Sequence, residues 1–118
     1  FVAHASQLHP VPDHFSDEAA VVVEPTAVGV HAALRTPIPE GATVAVLGAG
    51  TMGLVALAAL RRFTAAGTIV VGAKYPEQVD LARSLSDLAR RAGTNAEEAL
   101  DGLLSHDQRV ARYLAENL

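Results

Sequence analysis

The chain has 118 residues, half of them hydrophobic and 19% charged, with a formal charge of −4. This size and composition favour one folded domain over a disordered chain, and an acidic balance without a dense basic run argues against nucleic acid as the main partner. Cysteine is absent, which excludes disulfides, thiolate metal sites and cysteine nucleophiles.

The opening FVAHASQLHP lacks the charged and long apolar regions of a secretory signal. The longest apolar run follows Gly53 and is interrupted at Arg61 and Arg62, too short to span a bilayer. A cytoplasmic location without membrane contact is the expectation. The first residue is Phe rather than Met, as expected of a chain that begins inside a longer polypeptide.

Residues 1–13 read as extended, with Pro10 and Pro12. Ser16, Asp17 and Glu18 offer an N-cap and first-turn acids for a helix over Ala19 to Glu24. Pro25 suits the first turn of a second helix that continues to about Arg35, and TPIPEGA is a loop. Val44 to Leu47 is a short apolar strand, followed by a helix from Thr51 to about Thr64. GTIVVGA is a second strand; its unbroken Ile69, Val70 and Val71 predict burial on both faces. Pro76 and Glu77 start a helix with a stripe at Leu81, Leu85, Leu88 and Ala92 and a surface pair, Asp87 and Arg91; Gly93 stops it. Asn95 caps a further helix with Glu97 and Glu98 in its first turn, and Ser105 to Gln108 has capping-box form ahead of a last helix carrying Val110, Tyr113 and Leu114.

Gly48, Gly50 and Gly53 fit G-x-G-x-x-G between the first strand and its helix. Gly48 permits the tight turn, Gly50 admits a pyrophosphate to the backbone, and Gly53 lets helix and strand approach. Helix N-terminal amides around Thr51 and Met52 complete a phosphate cradle. After the second strand, Gly72 and Ala73 stand where an NAD-binding fold usually has an acid, and Lys74 can meet a 2′-phosphate. NADP(H) is therefore favoured over NAD(H), against the plainer reading of Lys74 as an exposed loop lysine. The cofactor residues expected are Gly48, Gly50, Thr51, Met52, Gly53, Ala73 and Lys74.

Three stretches, LHPVPDHFSDEAAVVVEPTAVGVHAAL, IPEGATVAVLGAGTMGLVALAAL and GTIVVGAKYPEQVDLARSL, resemble consecutive pieces of zinc-type medium-chain alcohol dehydrogenases. The resemblance covers about residues 1–85. It implies that the first piece links a catalytic domain to the cofactor domain and that the rest opens a Rossmann fold. It also implies hydride transfer between NAD(P)H and an alcohol or carbonyl. Glu24 matches the position where polyol-dehydrogenase-like relatives place a carboxylate at the catalytic zinc. The other ligands of that family, a cysteine and a His-Glu pair, have no counterpart in these 118 residues. Zinc is therefore not expected in this chain, and Glu24 reads more simply as a helix-end carboxylate. His4, His9, His14, His31 and His106 have no metal-ligand spacing.

After Leu85 the family pattern continues into a third strand, whereas this sequence has no Val- or Ile-rich run left. The expected fold class is α/β: a truncated Rossmann-like βαβ core with flanking helices and an all-helical C-terminal tail. Residues 1–85 form a partial dinucleotide-binding region, and 86–118 a helical tail packed on the same domain. No catalytic residue is assigned, and a complete dehydrogenase is not expected from this chain alone. Two other readings stand beside the dinucleotide one. Leu100, Leu103, Leu104, Val110 and Leu114 suit a protein-interaction module, with a homodimer or the remainder of the enzyme as partner. LSDLARRAGTN resembles the opening of a helix-turn-helix, but Glu97, Glu98 and Asp101 would repel phosphates, so helix packing better explains Ala89 and Gly93.

Overall fold

The computed structural model describes residues 2–91. A 3-10 turn at Ala5–Gln7 precedes α1 (Asp17–Val21), α2 (Val23–Arg35), β1 (Thr43–Leu47), α3 (Thr51–Phe63), β2 (Thr68–Gly72) and α4 (Pro76–Arg91). The helices expected beyond Gly93 lie outside these residues, as do the Asp87–Arg91 pair, the Leu88 side chain and Ala92.

Ser16 caps α1 as expected, its Oγ accepting from the Ala19 amide at 3.3 Å. The helix stops earlier than the expected Glu24, however, and α2 begins at Val23. Pro25 explains the break: it has no N–H to donate to the Val21 carbonyl, and its ring crowds that oxygen. The two helices therefore meet at Val22, which is fully buried and sits at φ −92°, ψ 0°. Thr26 steadies the new start by donating both its amide and its hydroxyl to the Val22 carbonyl. At the far end, Thr36 turns to extended backbone because Pro37 follows it.

β1 and β2 pair in parallel from Thr43 opposite Thr68 to Leu47 opposite Gly72, with α3 as the crossover. The strands thus end level. Val44, Val46, Ile69 and Val71 face the helices, where α3 supplies Leu54, Val55, Leu57 and Ala58 to the core. Flanking α3, α2 contributes Ala33, while α4 contributes Ala82, Leu85 and Ala89. Leu85 is wholly enclosed and Ala89 is 1% exposed, so Ala89 is used for helix packing.

Burial of β2 on both faces is not observed. Val70 is 55% exposed and Leu47 is 94% exposed, because both strands alternate and their second face carries none of the described helices. An apolar run in a strand reports that the residues tolerate burial; it does not report which layers are there to bury them. The α/β class with a small parallel sheet and packed helices agrees with the expected Rossmann-like core. Among the described residues, no helix is long and apolar enough to cross a membrane.

Candidate functional site

The turn from β1 into α3 sits at the C-terminal edge of the sheet. Gly48 has φ +108°, a backbone conformation that side-chain-bearing residues rarely adopt. Gly53 is needed for another reason. A β-carbon there would fall inside contact distance of the Gly48 carbonyl oxygen and 2.9 Å from its carbonyl carbon. The first turn of α3 is therefore seated directly on the turn that precedes it.

Gly50 is the N-cap of α3, with extended backbone and no side-chain capping bond, and the space where its β-carbon would stand is open. The first helical bond runs from the Leu54 amide to the Gly50 carbonyl at 2.9 Å. The amides of Thr51, Met52 and Gly53 precede that bond, so they form the positive end of the helix. Ala49 and the Thr51 side chain are buried beneath, and Met52 lies half-exposed at the rim. These features fit the pyrophosphate of a dinucleotide: an open approach, oriented donors and no carboxylate in the turn itself.

Because the strands end level, Ala73 and Lys74 emerge beside Gly48; a β-carbon on Gly72 would stand 3.7 Å from the Gly48 amide nitrogen. Lys74 is exposed, and its Nζ lies 5.1 Å from the centre of the Tyr75 ring. Gln78 was not singled out from sequence, yet it shapes this corner. Its Oε1 accepts from the Lys74 amide at 3.0 Å and from the Tyr75 amide at 3.3 Å, fixing the β2–α4 turn that presents Lys74. The sequence signal was half of a capping box, with Gln three residues after the cap but Tyr75 in place of Ser or Thr.

Glu24 is exposed in the first turn of α2, where a carboxylate suits the helix dipole. Among the described residues, no group of three or more His, Cys, Asp or Glu side chains is placed to hold a metal ion. One carboxylate does not make a tetrahedral site.

A parallel βαβ unit with this turn is a mixed α/β arrangement consistent with a Rossmann-like core. Comparison with curated proteins carries the assignment further. The chain is 43% identical over 75 residues to the sorbitol dehydrogenase of Bacillus subtilis (strain 168), covering 64% of this chain and 21% of that protein. It is 49% identical over 61 residues to the D-xylulose reductase of Scheffersomyces stipitis, covering 52% and 17%. With the sorbitol dehydrogenase of Bos taurus it shares 33% identity over 92 residues, covering 78% and 24%. These relatives support the medium-chain zinc alcohol dehydrogenase family for this chain. The chain spans about a fifth of the length of the curated relatives it matches. No family model matches it, and no solved structure does.

Proposed function

We propose that this chain binds the ADP-ribose part of NADP(H) within an alcohol dehydrogenase-type oxidoreductase. The observation that carries this reading is the glycine turn itself, with Gly53 seated on the Gly48 carbonyl and open space where a Gly50 β-carbon would stand at the start of α3. The pyrophosphate lies over Gly48, Gly50, Thr51, Met52 and Gly53, and the adenosine ribose reaches Ala73 and Lys74. Gly72 and Ala73 put no acid at the end of β2, the nearest carboxylate along the chain being Glu77 in the first turn of α4, and Lys74 pairs with the 2′-phosphate. The ammonium leaves the Tyr75 ring to do so, because a charge-assisted bond to phosphate outweighs an exposed cation–π contact. When bound, the nicotinamide supplies hydride chemistry. The names of the relatives point to polyols and their keto forms as the substrate class of the whole protein. In this reading the chain contributes cofactor binding.

Calorimetric titration of the full chain with NADPH, NADH, 2′,5′-ADP and 5′-AMP tests the assignment. NADPH and 2′,5′-ADP are expected to bind more tightly than their partners lacking the 2′-phosphate. Lys74→Ala removes roughly a tenfold preference, the order of one charge-assisted hydrogen bond. Absence of NADPH binding would overturn the cofactor reading. Equal NADPH and NADH affinities, unchanged in Lys74→Ala, would overturn the 2′-phosphate assignment alone.

A further inference from the structure

The two helix starts at the C-terminal edge of the sheet differ in what they offer a phosphate. At α3 the space over Gly50 is open, and the amides of Thr51, Met52 and Gly53 precede the first helical bond. At α4 the equivalent donors are taken or missing. The Lys74 and Tyr75 amides both donate to Gln78 Oε1, at 3.0 and 3.3 Å. Pro76 has no N–H, and the Gln78 amide donates to the Tyr75 carbonyl at 3.1 Å. That leaves the Glu77 amide of this first turn, on a residue whose exposed side chain is a carboxylate.

We infer that Gln78 is a positioning residue for 2′-phosphate discrimination. It holds the backbone of Lys74 so that the lysine side chain, and not the start of α4, meets that group. The inference rests on the cofactor reading and adds to it the residue that sets where Lys74 stands.

In a capping box the side chain at the third helical position receives the N-cap amide alone, which here is that of Tyr75. The second bond, from the Lys74 amide one residue earlier, reaches back toward β2. Lys74 lies two residues past Gly72, whose pairing with Leu47 sets its place beside the glycine turn. Its backbone is therefore held from both sides, by the sheet before it and by Gln78 after it. Gln78 is half-buried, and α4 is anchored in the main core through Ala82 and Leu85, so the accepting oxygen starts from a fixed base.

How far the exposed Lys74 ammonium can follow a phosphate depends on where its α-carbon is held. Without the Gln78 oxygen that ordering is left to the binding step, at a cost of roughly threefold to tenfold in affinity for ligands that use Lys74. The neutrality of glutamine matters too. A glutamate would accept the same two amides but would set a negative charge beside the group that Lys74 pairs with.

Calorimetric titration with 2′,5′-ADP and 5′-AMP of wild type, Gln78→Ala, Lys74→Ala and the double variant, all as the full chain, tests the role. Gln78→Ala is expected to lower the affinity ratio of the two ligands about threefold when Lys74 is present. In Lys74→Ala the same change leaves the ratio as it was, because a residue acting through Lys74 has nothing left to act on. Amide hydrogen exchange by NMR reads the turn without cofactor. The Lys74 and Tyr75 amides are expected to exchange about tenfold faster in Gln78→Ala and at the wild-type rate in Gln78→Glu, which keeps the acceptor. The ratio nevertheless falls in Gln78→Glu, through charge. A wild-type ratio in either single Gln78 variant, equal losses with and without Lys74, or unchanged exchange in Gln78→Ala would overturn the inference and leave the cofactor reading standing. Failure of wild type to bind 2′,5′-ADP would overturn both.

Discussion

Gly53→Ala isolates the contact on which the candidate site depends. In an ordinary helix this substitution stabilises by up to about 1 kcal/mol, because alanine is the better helix former. Here the added methyl group meets the Gly48 carbonyl, whose carbon would be 2.9 Å away. The opposing atoms are backbone, so no rotamer change relieves the overlap, and α3 must move relative to β1. That movement disturbs Leu54, Val55 and Ala58, all nearly solvent-free in the main core. Overpacking of this kind costs about 1–3 kcal/mol and sometimes more. The propensity gain offsets part of it, leaving a net loss of about 1–2 kcal/mol. For a domain of this size the melting temperature falls by about 5–15 °C. Differential scanning fluorimetry on wild type and variant reads the shift, and NADPH titration below both transitions reads the site. A melting temperature equal to or above wild type would refute the reasoning, since only a helix not seated on the turn would gain its propensity unopposed.

Gly50→Asp separates stability from binding: the new carboxylate caps α3 in open space and stabilises the free protein by about 0.5–1 kcal/mol. The same charge meets the pyrophosphate, so NADPH affinity drops at least tenfold; unchanged affinity by calorimetry places the phosphates elsewhere. Leu85→Ala empties a fully buried position between α4 and α3 and costs about 2–5 kcal/mol in urea unfolding, whereas a loss under 1 kcal/mol would mean that α4 is not part of the core.

The β1–α3–β2 unit was legible from sequence because its punctuation is local. Gly48 and Gly53 have backbone and packing reasons to be glycine that appear in the spacing itself, and the strand ends agree with the structure to within a residue or two. The break between α1 and α2 was harder to place. Pro25 suits several early helix positions, and only the full-length packing of Val22 decides that it sits third in α2 rather than first. Gln78 escaped notice because its acceptor role depends on how two amides converge at a turn. The exposure of Val70 was misread for a non-local reason. Periodicity describes one strand, while coverage depends on whichever segments the chain brings to each face.

The two ends of the sheet divide the labour of this chain. Gly48 and Lys74 stand side by side at the C-terminal edge because β1 and β2 start and stop in register. At the opposite edge the loops are tied together, with the Gly41 amide donating to the Ala65 carbonyl at 2.9 Å and the Gly67 amide to the Ala42 carbonyl at 3.0 Å. A parallel pair has no hairpin to set its register, so these bonds and the single crossover set it instead. Any shift by one residue would carry Lys74 away from the glycine turn and exchange Val71 for the exposed Val70 in the core. Burial on one face thus fixes the position of a charge at the edge. Leu47 sits where these demands meet, exposed on the outer face and one residue before Gly48. A layer laid over that face would brace the glycine turn from beneath without entering it.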